Sequence, residues 1–328
     1  MKRFFMLLVL ALGFAGCDDG DLEQVSFEFD DTDARACNTG ENDFFIFKTT
    51  DKRALMVVLD ESLFPNEVSA DNTTTPITIN NTSVKLIYRV YASAITDATV
   101  CSDIPASDPV VTEEYVAVAG QILINTTAIK TEVAEDGSTK ITYYLHTLSF
   151  NDVTFDLGEG NQRNESLPQI TYQTTAPTFQ LFSANIEISN CEGDNSFLFK
   201  SNNEQSLILN LSDATAAALF SAEAGPKTQL FDAENTLTYR FYDTTPTFNI
   251  VTEGYLCTSP TPEFPVVNNT WTAAPGVANV SGIIEVTTLP ADDGFTHTIT
   301  LRNVRMTKES LSFQLPTDYF FGEFETPN

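Results

Sequence analysis

The chain has 328 residues and a formal net charge of −28 at pH 7, with 45 Asp and Glu residues against 17 Lys and Arg residues. A surface this acidic repels nucleic acids and anionic lipid headgroups, so we expect neither as a partner. The length suggests two domains. Phenylalanine (25 residues) and tyrosine (10 residues) are common and methionine (4 residues) is rare, which favours strands over helices.

The first segment of the chain has the composition of a secretory signal. Lys2 and Arg3 carry positive charge, and an apolar run at residues 4–16 follows them. As a helix, a run of this length is too short to span a bilayer core of about 30 Å. We therefore predict a signal peptide at residues 1–16 and not a membrane-spanning helix.

The residues that end this segment resemble the lipobox of bacterial lipoproteins. The tripeptide Ala15-Gly16-Cys17 follows Phe14, which stands where leucine is usual. The resemblance implies that Cys17 becomes the lipidated first residue of the mature protein. The acidic run at residues 18–21 resembles the export signal of surface-exposed Bacteroidetes lipoproteins, and residues 17–24 have the composition of a flexible tether. The predicted location is the outer membrane, with a lipid anchor and with the domains facing the outside of the cell.

From residue 25 onwards the sequence repeats itself at an offset of about 151 to 156 residues. Several short matches occur in the same order in both copies, which indicates an internal duplication of domain size. We therefore predict two domains, at residues 25–172 and 173–328, with residues 173–177 as the linker. The matched segments are 45–48 with 197–200, 87–91 with 238–242, 101–111 with 257–267, and 146–150 with 297–301.

Four cysteines remain after Cys17, and four cysteines allow three pairings. Because the duplication places one pair in each copy, it selects Cys37–Cys101 and Cys191–Cys257. Each disulfide would close a loop of about 65 residues and contribute roughly 4 kcal/mol on the chain-entropy model. Free buried thiols are the alternative, and export to an oxidising compartment disfavours them.

Within each copy the sequence pattern is that of β-strands. Apolar residues alternate along residues 86–91 and along their counterparts 237–242, which indicates sheets with one face on a core. Asp136-Gly137 and Asp293-Gly294 each separate two strand-like runs and predict hairpins. The clearest helix signal begins at Ser212. The predicted fold class is all-β, with two tandem β-sandwich-like domains of the same fold, each with one disulfide and little helix; a partly open barrel is the alternative.

The two histidines, His146 and His297, occupy equivalent positions in the two copies. By alternation, each shares a strand face with apolar residues. We interpret both as hydrogen-bonded residues at the edge of the core, with a ligand or acid–base role as the alternative. No second histidine or free cysteine lies near either in sequence, so a transition-metal site would depend on carboxylates brought in by the fold.

Four further residues are candidate ligand contacts because the repeat matches Arg89 with Arg240 and Tyr115 with Trp271. Each arginine could contact an acidic or sugar ligand, although an intramolecular ion pair is the favoured interpretation. The two aromatic residues could stack on a glycan, whereas burial is commoner for a single aromatic residue in each domain.

Motifs of enzymatic chemistry are absent from the sequence. It contains no Gly-x-Ser-x-Gly, no phosphate-binding Gly-rich loop and no His-Glu-x-x-His, and the duplication leaves no free cysteine as a nucleophile. The acidic residues 28–33 lack the spacing of a calcium loop. We predict no catalytic residue, no metal, no cofactor and no enzymatic activity. A hydrolase with paired carboxylates stays open as an alternative, because such pairs have no fixed spacing in sequence.

Residues 99–105 (TVCSDIP) and 295–304 (FTHTITLRNV) resemble segments of uncharacterised cell-surface lipoproteins from Flavobacteria and other Bacteroidetes. The resemblance covers nearly the whole mature chain and implies a place in the cell envelope, with no particular activity. The function we expect is that of a membrane-anchored, non-catalytic binding module for a glycan or another envelope protein. A structural or accessory subunit of an outer-membrane complex is the alternative.

Overall fold

The structure is a computed structural model. The predicted signal peptide, Cys17 and the tether at residues 17–24 lie outside the residues that it describes. Strands hold 54% of the residues and helices 9%, which confirms the predicted all-β class. No helix in the described ranges is long and apolar enough to cross a membrane. The described residues are 27, 29, 32–38, 44–70, 74–102, 107–158, 161–164, 167–182, 186–245 and 250–327.

The described part of the chain contains twenty strands. They are β1 (Arg35–Asn38), β2 (Phe44–Thr49), β3 (Arg53–Val58), β4 (Thr75–Thr78), β5 (Lys85–Tyr91), β6 (Val111–Lys130), β7 (Ile141–Asp156), β8 (Asn161–Asn164), β9 (Ile170–Thr175), β10 (Ser189–Cys191), β11 (Asp194–Ser201), β12 (Gln205–Asn210), β13 (Gly225–Leu230), β14 (Thr236–Asp243), β15 (Val266–Ala273), β16 (Ile283–Ala291), β17 (Gly294–Arg302), β18 (Arg305–Lys308), β19 (Leu311–Gln314) and β20 (Asp318–Pro327).

These strands form three sheets. The first has nine strands in the order β1-β2-β3-β5-β6-β7-β8, with β4 beside β6 and β9 beside β7. The second has seven strands in the order β10-β11-β12-β14-β15-β18-β19, and the third has four in the order β13-β16-β17-β20. Strands that follow each other closely in sequence, such as β2 and β3, β11 and β12, and β16 and β17, pair antiparallel, as short connections require.

The pairing steps along the first sheet have counterparts in the second. Antiparallel pairing of β5 with β6 is interrupted between Val90 and Tyr91, and pairing of β14 with β15 is interrupted between Phe241 and Tyr242. These interruptions fall at matching positions of the sequence repeat. The correspondence supports the duplication, while the two tandem domains of one fold and their boundary at residues 172 and 173 stay a prediction.

The chain divides into two compact units. Of the described residues, those within 1–58, 78–121 and 149–170 form the first unit, and those within 59–77, 122–148 and 171–328 form the second. Buried side chains of the first unit form a cluster around its disulfide, composed of Cys37, Phe45, Phe47, Ala54, Met56, Tyr91 and Val100. The second unit has a larger core, whose aromatic members include Tyr239, Trp271 and Phe313, each at most 5% exposed.

Both predicted disulfides are confirmed. Cys37 is bonded to Cys101 with a Cα–Cα distance of 5.5 Å, and Cys191 is bonded to Cys257 with a Cα–Cα distance of 5.4 Å. Their partners are separated by 64 and 66 residues in sequence. The two pairs therefore follow the offset of the repeat, which is the feature that selected them.

The predicted hairpins and helix are present, with one change of detail. The helix Asp213–Leu219 is capped by Ser212, whose Oγ accepts a hydrogen bond from the amide of Thr215. Gly137 lies in the β6–β7 connection at a φ of 82°. In the second hairpin, however, Ala291 pairs with Gly294, so the glycine is the first strand residue and the turn is Asp292-Asp293.

Candidate functional site

His146 lies in β7 and is fully buried. Its Nδ1 lies 2.8 Å from Oγ1 of Thr126, and its Nε2 lies 2.8 Å from Oγ1 of Thr174. The ring packs edge-on against Phe64 at a centroid distance of 5.1 Å. Burial lowers the pKa of His146 to about 4, so the ring is neutral at physiological pH.

His297 has an environment of the same kind in β17. Its Nδ1 and Nε2 each lie 2.9 Å from a threonine hydroxyl group, on Thr288 and Thr326 respectively. The ring of Phe220 lies 5.5 Å away, and burial lowers the pKa of the imidazole below its usual range. Because each nitrogen of both rings has a hydrogen-bond partner, the geometry fits the interpretation of hydrogen-bonded core residues. In the described ranges no group of three or more His, Cys, Asp and Glu side chains is placed to hold a metal ion.

The two candidate arginines lie in corresponding strands. Nε of Arg89 in β5 donates a hydrogen bond of 2.5 Å to Oε2 of Glu114 in β6, and this is the intramolecular ion pair that the sequence favoured. Arg240 in β14 is half-buried, and it lies opposite Ser206 on one side and Thr270 on the other. An ion pair of Arg240, and a ligand for either arginine, stay predictions.

The two candidate aromatic residues differ in exposure. Tyr115 is half-buried, donates a hydrogen bond of 2.8 Å to Oε2 of Glu113, and stacks on Tyr88 at a centroid distance of 6.0 Å. Trp271 is 1% exposed and lies opposite Tyr239 in the sheet. Burial leaves no face of the indole open to solvent. Trp271 is therefore a core residue, and the expectation that it could stack on a glycan is wrong.

A cavity of about 530 Å³ lies in the second unit and is not a site that the sequence indicated. We call it the aromatic cavity. Three segments line it: residues 136 and 138–142, which lead into β7, residues 175–180 and 182 at and after the end of β9, and residues 313–316 at the end of β19. Its main apolar walls are the side chains of Ile141, Ala176, Phe179, Phe182, Phe313 and Leu315.

Hydrogen bonds join two of the segments around the aromatic cavity. The amide of Thr139 donates to the carbonyl oxygen of Gln314 at 3.0 Å, and the amide of Gln314 donates to Oγ1 of Thr139 at 2.9 Å. The amide of Thr317 donates to the carbonyl oxygen of Asp136 at 2.7 Å. These bonds fix the β6–β7 connection against the chain at the end of β19, so this side of the cavity is formed before any ligand binds.

The third segment is held by two buried polar side chains. Nε2 of Gln205 donates a 3.1 Å hydrogen bond to the carbonyl oxygen of Thr178, and its Oε1 accepts one from the amide of Gln180. The hydroxyl group of Tyr239 donates to Oε1 of Gln205 and accepts from the amide of Leu181. Both side chains are at most 5% exposed, so this network sets the positions of the phenylalanines on either side of it.

Two charged side chains line the aromatic cavity. Asp136 is exposed, and a hydrogen bond from Ser138 lowers the pKa of its carboxyl group, with a smaller contribution from Lys140. Lys140 is also exposed and carries the opposite charge. The cavity is thus an apolar space with charge only among its exposed residues, a combination typical of binding sites for small molecules.

The sequence missed this site because its residues come from segments that carry no motif. Residues 173–177 were predicted to be a linker, yet residues 173–175 belong to β9 and Ala176 is 8% exposed in a cavity wall. The phenylalanines at 179 and 182 gave the only local signal, since two aromatic residues close to a proline are unusual in a linker.

Comparisons of the chain with protein-family models, with curated proteins and with solved structures find no match.

Proposed function

We propose that this chain is a lipid-anchored protein of the outer membrane that binds a ligand without transforming it. The observation that carries the binding role is the aromatic cavity. Its volume of about 530 Å³ lies within the range of roughly 300–1,000 Å³ that is typical of small-molecule sites. Apolar side chains form its main walls, polar side chains lie among them and its charged groups are exposed, as expected of a site that holds a ligand by desolvation and orients it by a few polar contacts.

The charged groups of the cavity favour binding over catalysis. A glycosidase of the common two-carboxylate type needs two carboxyl groups about 5–10 Å apart, one of them protonated. Among the residues that line this cavity, Asp136 is the one carboxyl group, and its lowered pKa keeps it ionised at neutral pH. The cavity therefore gives no support to the hydrolase alternative.

The membrane location rests on the sequence of residues 1–24. Lipidation at Cys17 would anchor the chain, and the acidic tether would separate the lipid from the domains. A net charge of −28 suits a protein that stays soluble while tethered beside other surface components.

A second function, as an accessory subunit of an envelope complex, is favoured by one observation. Phe264, Val266 and Val267 lie within four residues of sequence and are 54%, 48% and 39% exposed. Exposed apolar residues in a group are typical of surfaces that contact another protein. The binding role is compatible with membership of such a complex.

Protease shaving of intact cells tests the location. The wild-type chain is expected to be degraded on intact cells, and the Cys17→Ala variant is expected to be lost from the membrane fraction. Protection of the wild-type chain would place it in the periplasm and would contradict surface exposure. Retention of the Cys17→Ala variant in the membrane fraction would contradict the lipid anchor.

A further inference from the structure

We infer that the aromatic cavity takes an uncharged, largely apolar small molecule that contains an aromatic ring system. This inference rests on the proposed binding function and specifies the chemical class of its ligand. It follows from the composition of the cavity walls, from the charges beside them and from the way in which the walls are held.

One wall of the cavity is built from phenylalanine rings. Phe179 lies 5.7 Å from Phe182 and 4.7 Å from Phe313 between ring centroids, with interplanar angles of 23° and 54°. Aromatic rings attract one another at centroid distances of about 4.5–7 Å in offset or edge-to-face arrangements. Phe182 and Phe313 are edge-to-face at 69°, whereas Phe179 and Phe182 are stacked, so an aromatic ligand that enters the cavity extends the same packing.

Part of the remaining wall is aliphatic, and the rest is formed mainly by threonine and glutamine residues. Ile141 and Ala176 are each 8% exposed, and Leu315 is 2% exposed. Their side chains offer no hydrogen-bond donor or acceptor, so a polar group placed against them loses its hydration without compensation. The part of the ligand that lies against these three side chains and the phenylalanine rings is therefore apolar.

The charges around the cavity disfavour an ionised ligand. Asp136 and Lys140 are the ionisable residues of the lining, and their opposite charges offset each other. The chain as a whole has a net charge of −28, which repels anions. A fatty acid or another organic anion would therefore gain less from this site than an uncharged molecule of the same shape.

Hydrogen bonds fix the backbone that carries Phe179 and Phe182, and this favours a small molecule over a protein partner. Gln205 and Tyr239 hold the backbone of residues 178–181 between the two ring-bearing positions, so the rings need little ordering when a ligand binds. A specific protein interface buries about 800 Å² on each partner. An apolar space enclosed by three short segments is instead the size of a single ring-containing ligand.

A pair of fluorescent probes with the same ring system tests the inference. N-phenylnaphthylamine is uncharged at neutral pH, and anilinonaphthalene sulfonate is its anionic counterpart. Both are titrated into the full chain carrying Cys17→Ser, which prevents attachment of lipid. We expect saturable binding of the uncharged probe and at least tenfold weaker binding of the sulfonate.

A cavity-filling variant locates the binding. Thr178 lines the cavity and is exposed, so Thr178→Trp places an indole in or across it, and we expect at least a tenfold loss of affinity for the uncharged probe. Thr270→Trp is the matched control, because Thr270 is exposed on β15 and does not line the cavity. The apolar residues 4–16 also attract the probe, so the readout is the difference between the two variants. Equal thermal unfolding midpoints verify that both are folded.

Each result that differs from these expectations would overturn a different part of the inference. Equal or tighter binding of the sulfonate would overturn the uncharged ligand class and leave the proposed binding function standing. Unchanged affinity in folded Thr178→Trp would show that the probe binds elsewhere and would overturn the assignment to this cavity. Absence of binding by both probes would overturn the aromatic ligand class. Protease shaving decides the cell-surface location independently of all three outcomes.

Discussion

Oγ1 of Thr174 lies 2.8 Å from Nε2 of His146, and this contact joins β9 to β7 inside the second unit. Thr174 in turn donates a 2.7 Å hydrogen bond to Oδ1 of Asn66. A segment that the sequence presented as a linker is therefore part of a partly buried polar network. The site favours a neutral imidazole, because the ring is buried and its two hydrogen-bond partners are uncharged hydroxyl groups.

The buried imidazole of His146 makes stability depend on pH. Its pKa is about 4 in the folded chain and about 6.5 in the unfolded chain, so the unfolded chain binds the proton first as pH falls. The contribution of the neutral His146 to the free energy of unfolding is nearly constant above pH 6.5 and is lost progressively between pH 6.5 and pH 4. We expect the free energy of unfolding to fall by about 2 kcal/mol between pH 7 and pH 5 from this group.

Urea unfolding of the wild type and of His146→Gln at pH 7 and pH 5 measures this contribution. The wild type is expected to be the more stable of the two at pH 7. The difference between the two free energies of unfolding is expected to be smaller at pH 5. Carboxyl groups titrate equally in both proteins, so they cancel in the comparison. A gap that stays constant over this range would contradict a buried neutral ring.

Replacement of Gln205 tests the network that positions the phenylalanine wall. In Gln205→Leu the Tyr239 hydroxyl and the Gln180 amide lose their acceptor, and an unpaired buried donor costs roughly 1–3 kcal/mol. We expect a loss of that size in the free energy of unfolding, together with weaker binding of the uncharged probe. Gln173→Leu is the control, since Gln173 is exposed and its replacement is expected to cost less than about 0.5 kcal/mol. Equal effects of the two variants would argue against the network.

Gly294 is required by a close approach of two strands. A Cβ atom at this position would lie 1.9 Å from the carbonyl oxygen of Thr326 in β20, and backbone must move to relieve the overlap. We expect Gly294→Ala to destabilise the chain by roughly 1–3 kcal/mol in chemical denaturation. In Gly254→Ala the nearest atom is Oγ1 of Thr252 at 3.8 Å, so a change of less than about 1 kcal/mol is expected there. If the two substitutions had the same cost, the strand approach would be looser than described.

Trp271 contributes to the core by its volume and not by hydrogen bonding. Its Nε1 is buried and has no hydrogen-bond partner among the described residues. Trp271→Phe keeps most of the ring contacts with Phe179 and Phe313 and is expected to cost less than about 1.5 kcal/mol. Trp271→Ala leaves a cavity and is expected to cost roughly 3–5 kcal/mol. Thermal unfolding of the two variants gives the comparison, and similar losses would indicate a hydrogen bond of the indole that matters.

The sequence anticipated the features that depend on local pattern or on the repeat. Period-two alternation indicated strands such as β5 and β14, because successive side chains of a strand point to opposite faces. Ser212 indicated the start of the helix Asp213–Leu219, because its hydroxyl group accepts a hydrogen bond from the first turn. The offset between the copies selected the correct disulfide partners.

Features that depend on packing between distant segments required the tertiary structure. Alternation gives a strand two faces without stating which face another part of the chain covers, and so Trp271 could be a platform or a core residue. The aromatic cavity joins Ile141, Phe179 and Phe313, which are far apart in sequence and carry no shared motif. A cavity is the space that side chains leave when they pack, and no single segment encodes that space. By itself the sequence determined the class of fold and its covalent links, and only the packing of the chain decided where a ligand has room.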